Sequence, residues 1–157
     1  MMRVKLSAVL EALEMQGDEV HASVDRVTGD VVVLTDEELG AAEDEADPSE
    51  FPEWQRPNIE QAKAVQADEG GRFVALPDRF EIDEWRMMRD FAMSLPDEGA
   101  SSDLLDAIHG RGAFRLFKDC LRRLDKEKAW FAFRDAQYRQ VAVDWCHENG
   151  IEVEENA

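Results

Sequence analysis

The chain has 157 residues, 36 of them acidic and 18 basic, for a formal net charge of −18. Its 44% apolar content is enough to bury a core, whereas so large an acidic excess argues against wrapping nucleic acid or docking on anionic lipid, both of which need basic surface. Two cysteines, Cys120 and Cys146, are too few for a secreted disulfide scaffold and are expected to be reduced thiols of a cytoplasmic protein. No signal peptide is expected, because Glu11 and Glu14 interrupt the early apolar residues, and no stretch approaches the roughly 18 apolar residues of a membrane span.

Leu6, Val9, Leu10 and Leu13 recur at helical spacing and predict a short amphipathic helix over 5–16, ended by Gly17. Val20, Ala22 and Val24, then Val31 to Leu34, are strand-like on either side of Thr28-Gly29-Asp30, which predicts a β-hairpin. Residues 36–53 hold nine acids and no base, and Pro48, Pro52 and Pro57 close the stretch. Like charges repel and proline blocks regular pairing, so an acidic, Pro-containing solvated loop is expected at about 36–57, with at most a helical turn. Deleting 36–53 is then expected to leave the fold intact.

A weak helix over 58–68 and a short strand from Arg72 to Leu76 follow. Asp78 with Glu81 three residues on fits a capping box, and Ile82, Trp85, Met88, Ala92 and Leu95 put one apolar stripe on a helix over 79–95. Leu104, Leu105 and Ile108 predict a helix from about Ser102 to Gly110. Phe114, Phe117, Leu121 and Leu124 share a face of 113–124, and Trp130, Phe133, Gln137, Val141 and Trp145 run down a long helix over 127–148. The expected fold is α+β: a small N-terminal hairpin or sheet followed by a mainly helical C-terminal half, in a single domain over 1–157.

Charge is distributed unevenly. Residues 1–70 carry 18 acids and 5 bases, whereas 111–139 carries nine bases and four acids. Arg111, Arg115, Lys118 and Arg122 step by four, three and four, so they form a basic stripe on one helix face, away from the phenylalanine–leucine face. Such a stripe suits a solvated surface, pairing with acidic protein such as the 36–53 segment of its own chain or of a neighbouring subunit, or nucleic acid. The net field of −18 argues against the last.

His109-Gly110-Arg111-Gly112 lies between two predicted helices. Its glycines allow a tight turn, and the next helix N-terminus beside Arg111 and Arg115 offers N–H groups and a positive dipole end to a phosphate or carboxylate. The plainer reading is a helix stop with Gly110 as the left-handed cap. The segment lacks the spacing and the Lys-Ser/Thr of a P-loop.

His21, His109 and His147 are scattered, and Cys146-His147 are adjacent rather than spaced for one ion, so neither a metal nor a cofactor is expected. No Cys-x-x-Cys, His-Glu-x-x-His or Gly-x-Ser-x-Gly motif appears, and no catalytic residue is assigned. Residues 36–53 lack the alternation of a calcium loop. Trp85, Trp130, Phe133 and Trp145 read as core anchors.

Several blocks together resemble the uncharacterised protein family 0158 over nearly the whole chain. They are Asp25-Arg26-Val27-Thr28-Gly29-Asp30-Val31-Val32; Leu76-Pro77 with Ile82-Asp83-Glu84 and Phe91; Leu95-Pro96-Asp97-Glu98; and Leu104-Leu105-Asp106-Ala107-Ile108. Gly110-Arg111-Gly112-Ala113-Phe114-Arg115 is the most specific, followed by Phe117-Lys118-Asp119, Trp130-Phe131, Phe133-Arg134 and Trp145 near Glu148-Asn149-Gly150-Ile151. The resemblance implies a bacterial cytosolic α+β protein, and implies no reaction and no site residues. The polarised charge and the lack of catalytic spacing lead to the expectation of a non-enzymatic interaction or regulatory domain that self-associates or binds a basic protein surface. The alternative is an anion- or phosphate-binding domain or enzyme built on His109, Gly110, Arg111, Gly112 and Arg115.

Overall fold

The computed structural model describes residues 3–155. It is an α+β fold that divides into two compact units, Met1–Asp78 with Ala142–Ala157, and Arg79–Val141.

In the first unit, β1 (Arg3–Lys5) runs into α1 (Leu6–Met15), whose Leu6, Val9, Ala12 and Leu13 are buried as the helical spacing predicts. The hairpin forms from β2 (Val20–Asp25) and β3 (Val31–Thr35), paired antiparallel with Ala22 opposite Val33. Its turn closes through Asp25 N–H to the Asp30 carbonyl at 2.9 Å, and Gly29 takes φ 81°, a left-handed conformation that favours glycine. A third strand, β4 (Phe73–Ala75), pairs with β2, so the sheet order is β3-β2-β4. A two-stranded parallel pair was not expected: β1 aligns with β5 (Glu152–Glu154), Val4 opposite Val153.

The acidic stretch differs from its expectation. Residues Asp36–Glu43 form a helix, α2, rather than a solvated loop. Thr35 Oγ1 accepts from Glu38 N–H at 3.2 Å and Glu38 Oε1 accepts from Thr35 N–H at 3.0 Å, a complete capping box. Asp36, Glu37 and Glu38 lie in the first turn, where the positive end of the helix dipole stabilises the charges that repel in an extended chain. Two 3-10 turns, Pro48–Glu50 and Glu53–Gln55, lead to α3 (Arg56–Gln66), with Pro57 in its first turn, where its missing N–H costs nothing. Ala42 of α2 and Ala62 of α3 pack on Val32 and Leu34 of β3. Burying each such valine or leucine contributes about 1.5–3 kcal/mol, so this segment is part of a core.

The sheet end of this unit is tied down by polar contacts. Gln16 Nε2 donates to the Pro77 carbonyl at 2.7 Å, and Trp145 Nε1 to the Ala75 carbonyl at 3.1 Å.

The second unit contains α4 (Arg79–Ile82), α5 (Glu84–Ser94), α6 (Glu98–Ala107), α7 (Ala113–Arg123) and the part of α8 (Glu127–Glu148) up to Val141. The helix expected over 79–95 is interrupted at Asp83, which takes φ 57° while its side chain accepts from Arg86 N–H at 3.2 Å. A short polar side chain that bonds the backbone tolerates this conformation and caps α5. Similarly, α6 starts at Glu98 rather than near Ser102, because Asp97 Oδ1 accepts from the N–H groups of Gly99 and Ala100. The core is aromatic. Trp130 meets Phe117 at 5.0 Å and 75°, and Phe91 at 5.5 Å and 69°, edge-on arrangements that set ring edges against ring faces.

Candidate functional site

The Gly110–Gly112 turn is built as the sequence suggests. Gly110 has φ 139° and Gly112 φ 73°, and Gly112 is the N-cap of α7. A Cβ added at either position would meet nothing within 4 Å, so glycine serves the backbone conformation here and not the close approach of a neighbour. Because Gly112 has no side chain, no side-chain acceptor caps the first turn of α7. His109 is exposed, with its ring 6.5 Å from that of Trp85, whose Nε1 donates to the Ile108 carbonyl at 3.0 Å. Arg111 and Arg115 are both exposed.

Arg115, Lys118 and Arg122 lie on the exposed side of α7, opposite buried Phe117, Cys120 and Leu121, whereas Arg111, expected on the same helix face, lies before the helix because the left-handed Gly112 breaks the helical path between them. Arg122 approaches Asp119 at 3.9 Å and Glu127 at 3.8 Å. Among the described residues, Arg111, Arg115 and Lys118 reach no carboxylate. Phe114, 49% exposed, flanks the stripe.

Asp83 and Tyr138, two other residues of the resembling blocks or their surroundings, serve structure. Asp83 caps α5, and the buried Tyr138 hydroxyl donates to Glu84 Oε1, which also accepts from Arg134.

The first unit holds a feature that the sequence reading passed over. A groove of about 640 Å³ runs between the end of α1, the end of β3 and the start of α2, closed on one side by the Glu53–Gln55 turn. Its apolar surface comes from Met15, Val20, Val33 and Trp54. Trp54 is 73% exposed, which leaves most of an indole open to a partner. Glu19, Asp36, Glu37 and Glu38 line the same groove, and no basic residue does. Glu38 is buried and fixed from three directions: Thr35 N–H on Oε1, with Asn58 Nδ2 at 2.9 Å and Gln55 Nε2 at 3.4 Å on Oε2. Asp36 Oδ1 meets His21 Nε2 at 2.5 Å, and Glu19 and Glu37 meet no cation among the described residues. The signal was available: Trp54 sits between two prolines in a charged stretch, off every apolar stripe.

A second groove, of about 570 Å³, lies along His147, Gly150, Glu152 and Val153. Among the described residues, no group of three or more His, Cys, Asp and Glu side chains is placed to hold a metal ion. No described helix is long and apolar enough to cross a membrane.

Comparison with protein-family models matches residues 1–156 to the family described as uncharacterised protein family UPF0158. No curated protein and no solved structure matches the chain.

Proposed function

This chain belongs to the uncharacterised protein family UPF0158, and we propose that it works as a non-enzymatic interaction or regulatory domain that engages a basic protein surface, a second copy of itself included. The observation that carries this reading is the groove beside Trp54, where an exposed indole stands among four carboxylates and, among the described residues, no lysine or arginine lines it and the one basic group that meets its carboxylates is His21 on Asp36. Carboxylates pair guanidinium and ammonium groups, and an indole face attracts a cation through its quadrupole. Proline and the capping box hold α2 and the Glu53–Gln55 turn in place, so little ordering is needed on binding. On this reading the chain acts as one domain in the cytosol, with Cys120 and Cys146 reduced.

A titration of the ¹⁵N-labelled protein with a nona-arginine peptide tests it. Shifts are expected to cluster at Glu19, Asp36, Glu37 and the Trp54 indole, and to disappear in Trp54→Ala. Shifts spread evenly over every acidic surface, or none, overturn the reading.

A second reading is favoured by one observation: α7 begins at a left-handed glycine without a side-chain cap, beside exposed Arg111 and Arg115 that have no acidic partner among the described residues. On this reading the turn of His109, Gly110, Arg111 and Gly112, with Arg115, takes a phosphate or carboxylate, as a ligand-binding domain or as an enzyme. Titration with inorganic phosphate is expected to move the amides of 110–116 on this reading, and unmoved amides at saturating phosphate remove it.

A further inference from the structure

We infer that the occupant of the Trp54 groove is the basic face of α7 from a second copy of the same chain, so that copies associate head to tail. The inference rests on the interaction reading above and names its partner. Both halves of the contact are present in one chain. The groove offers Glu19 and Glu37, which meet no cation among the described residues, and Asp36, which meets His21, around an exposed indole; no lysine or arginine lines it. The face of α7 offers Arg111, Arg115 and Lys118, exposed and without acidic partners among the described residues, and beside them Phe114, 49% exposed. Each surface supplies what the other lacks: a guanidinium for the indole and the carboxylates, and an aromatic ring for Met15, Val20 and Val33. From Arg115 to Arg122 the helical part of the stripe extends about 10 Å at 1.5 Å per residue, long enough for several cations to meet the acids of the groove together.

The two surfaces differ from each other, so the contact is heterologous. A pair of copies leaves one groove and one basic face open, and growth continues unless a ring closes. The net charge of −18 gives the association an unusual salt dependence. At low ionic strength the Debye length is about 30 Å, and whole molecules repel. Near 0.15 M it falls to about 8 Å, which damps that repulsion while pairs in contact survive, and near 1 M, at about 3 Å, the contacts weaken too. Association therefore passes through a maximum at intermediate salt.

Sedimentation equilibrium of the full chain tests this with wild type, the groove variants Glu37→Arg and Trp54→Ala, and the stripe variant Arg115→Glu. All three positions are exposed, and circular dichroism checks that each variant folds. The wild type is expected to give mass-average weights that rise with concentration, and each variant to remain monomeric. Equimolar Glu37→Arg and Arg115→Glu retain one intact face and one intact groove between them, so the mixture is expected to form a 1:1 dimer and stop. A monomeric wild type at every salt, association unchanged in the variants, or a mixture that stays monomeric overturns the head-to-tail contact. If the arginine-peptide shifts at the groove persist in that case, the interaction reading stands with another basic protein as partner. If they are absent too, both fall.

Discussion

Asp25 and Arg72 join the hairpin to β4 through a two-pronged ion pair: Arg72 Nε donates to Asp25 Oδ1 at 2.9 Å and Nη2 to Oδ2 at 2.8 Å. Asp25 is 5% exposed, at the end of β2, and Val27 N–H also donates to Oδ1, so one carboxylate orders the turn and clamps the third strand. The Arg72 hydrogen bonds hold its pKa down to about 2 from 3.8, against the opposing effect of burial.

The sign of the pH dependence follows from that depression. The ionised form is favoured in the folded state, so the stabilisation is fully present above pH 3.8 and is lost as pH falls through about 2. Because Arg72 is partly exposed, solvent screening limits the contribution to about 1–2 kcal/mol. Asp25→Asn is expected to lower the free energy of unfolding in urea at pH 7 by that amount, with the gap from wild type closing toward pH 2. A gap constant from pH 7 to pH 2 would show that the pair contributes packing and not charge.

The acidic helix gives a second prediction. Thr35→Ala removes the Oγ1 acceptor of the capping box and is expected to cost about 1 kcal/mol, read as a lower thermal midpoint. Deletion of 36–53 removes α2 and uncovers Val32, Leu34 and Ala62, so loss of the cooperative thermal transition is expected. That outcome reverses the sequence-based expectation that the fold survives. A deletion variant with an unchanged midpoint would return the segment to the status of a linker.

The Glu84 cluster gives a third. Glu84 Oε1 accepts from Arg134 Nε at 2.9 Å, from Arg134 Nη2 and from the Tyr138 hydroxyl, and the Arg134 guanidinium lies 4.2 Å from the Tyr138 ring centre. The two charged side chains are 19% and 26% exposed, so removing one leaves its partner poorly solvated. Arg134→Leu is expected to cost about 2–3 kcal/mol and Tyr138→Phe about 1 kcal/mol in chemical denaturation. Equal costs would mean that the ion pair contributes no more than the hydroxyl.

Legibility followed the physics of each segment. Helices α1, α7 and α8 were readable because one apolar stripe per helix decides them, as Phe117, Leu121 and Trp130 do. The hairpin was readable because β-branched runs flank Gly29. The helix over Asp36–Glu43 was missed although Thr35 and Glu38 carry a capping-box spacing, because its acids outweighed that signal and it buries a single alanine rather than an apolar stripe. The β1–β5 pair was hidden because Val4 and Val153 are far apart in the chain and only three residues long on each side. For the site, Arg111, Arg115 and Gly112 could be placed from spacing alone. The groove could not, because it assembles Met15, Val33 and Trp54 from separate elements, and only the tertiary fold brings them beside Glu37.

The cysteines give the last prediction. Cys146 is fully buried, and burial pushes its thiol up to about 11. At pH 8 only about one molecule in a thousand carries the reactive thiolate there, and no path of solvent reaches its sulfur in the folded chain. Cys120 is also buried, 6% exposed, with Arg123 Nη2 donating to its Sγ at 3.4 Å. Native protein is therefore expected to react slowly with a thiol-exchange reagent at pH 8, on the timescale of local opening, and to release two equivalents at once in denaturant. The Cys120→Ser and Cys146→Ser variants assign the phases. Cys146 is expected to be the slower, because it carries both full burial and the raised pKa, whereas Cys120 is 6% exposed. Fast labelling of Cys146 would mean that the C-terminal turns of α8 open readily, and that the contact of Trp145 with the Ala75 carbonyl does not hold them.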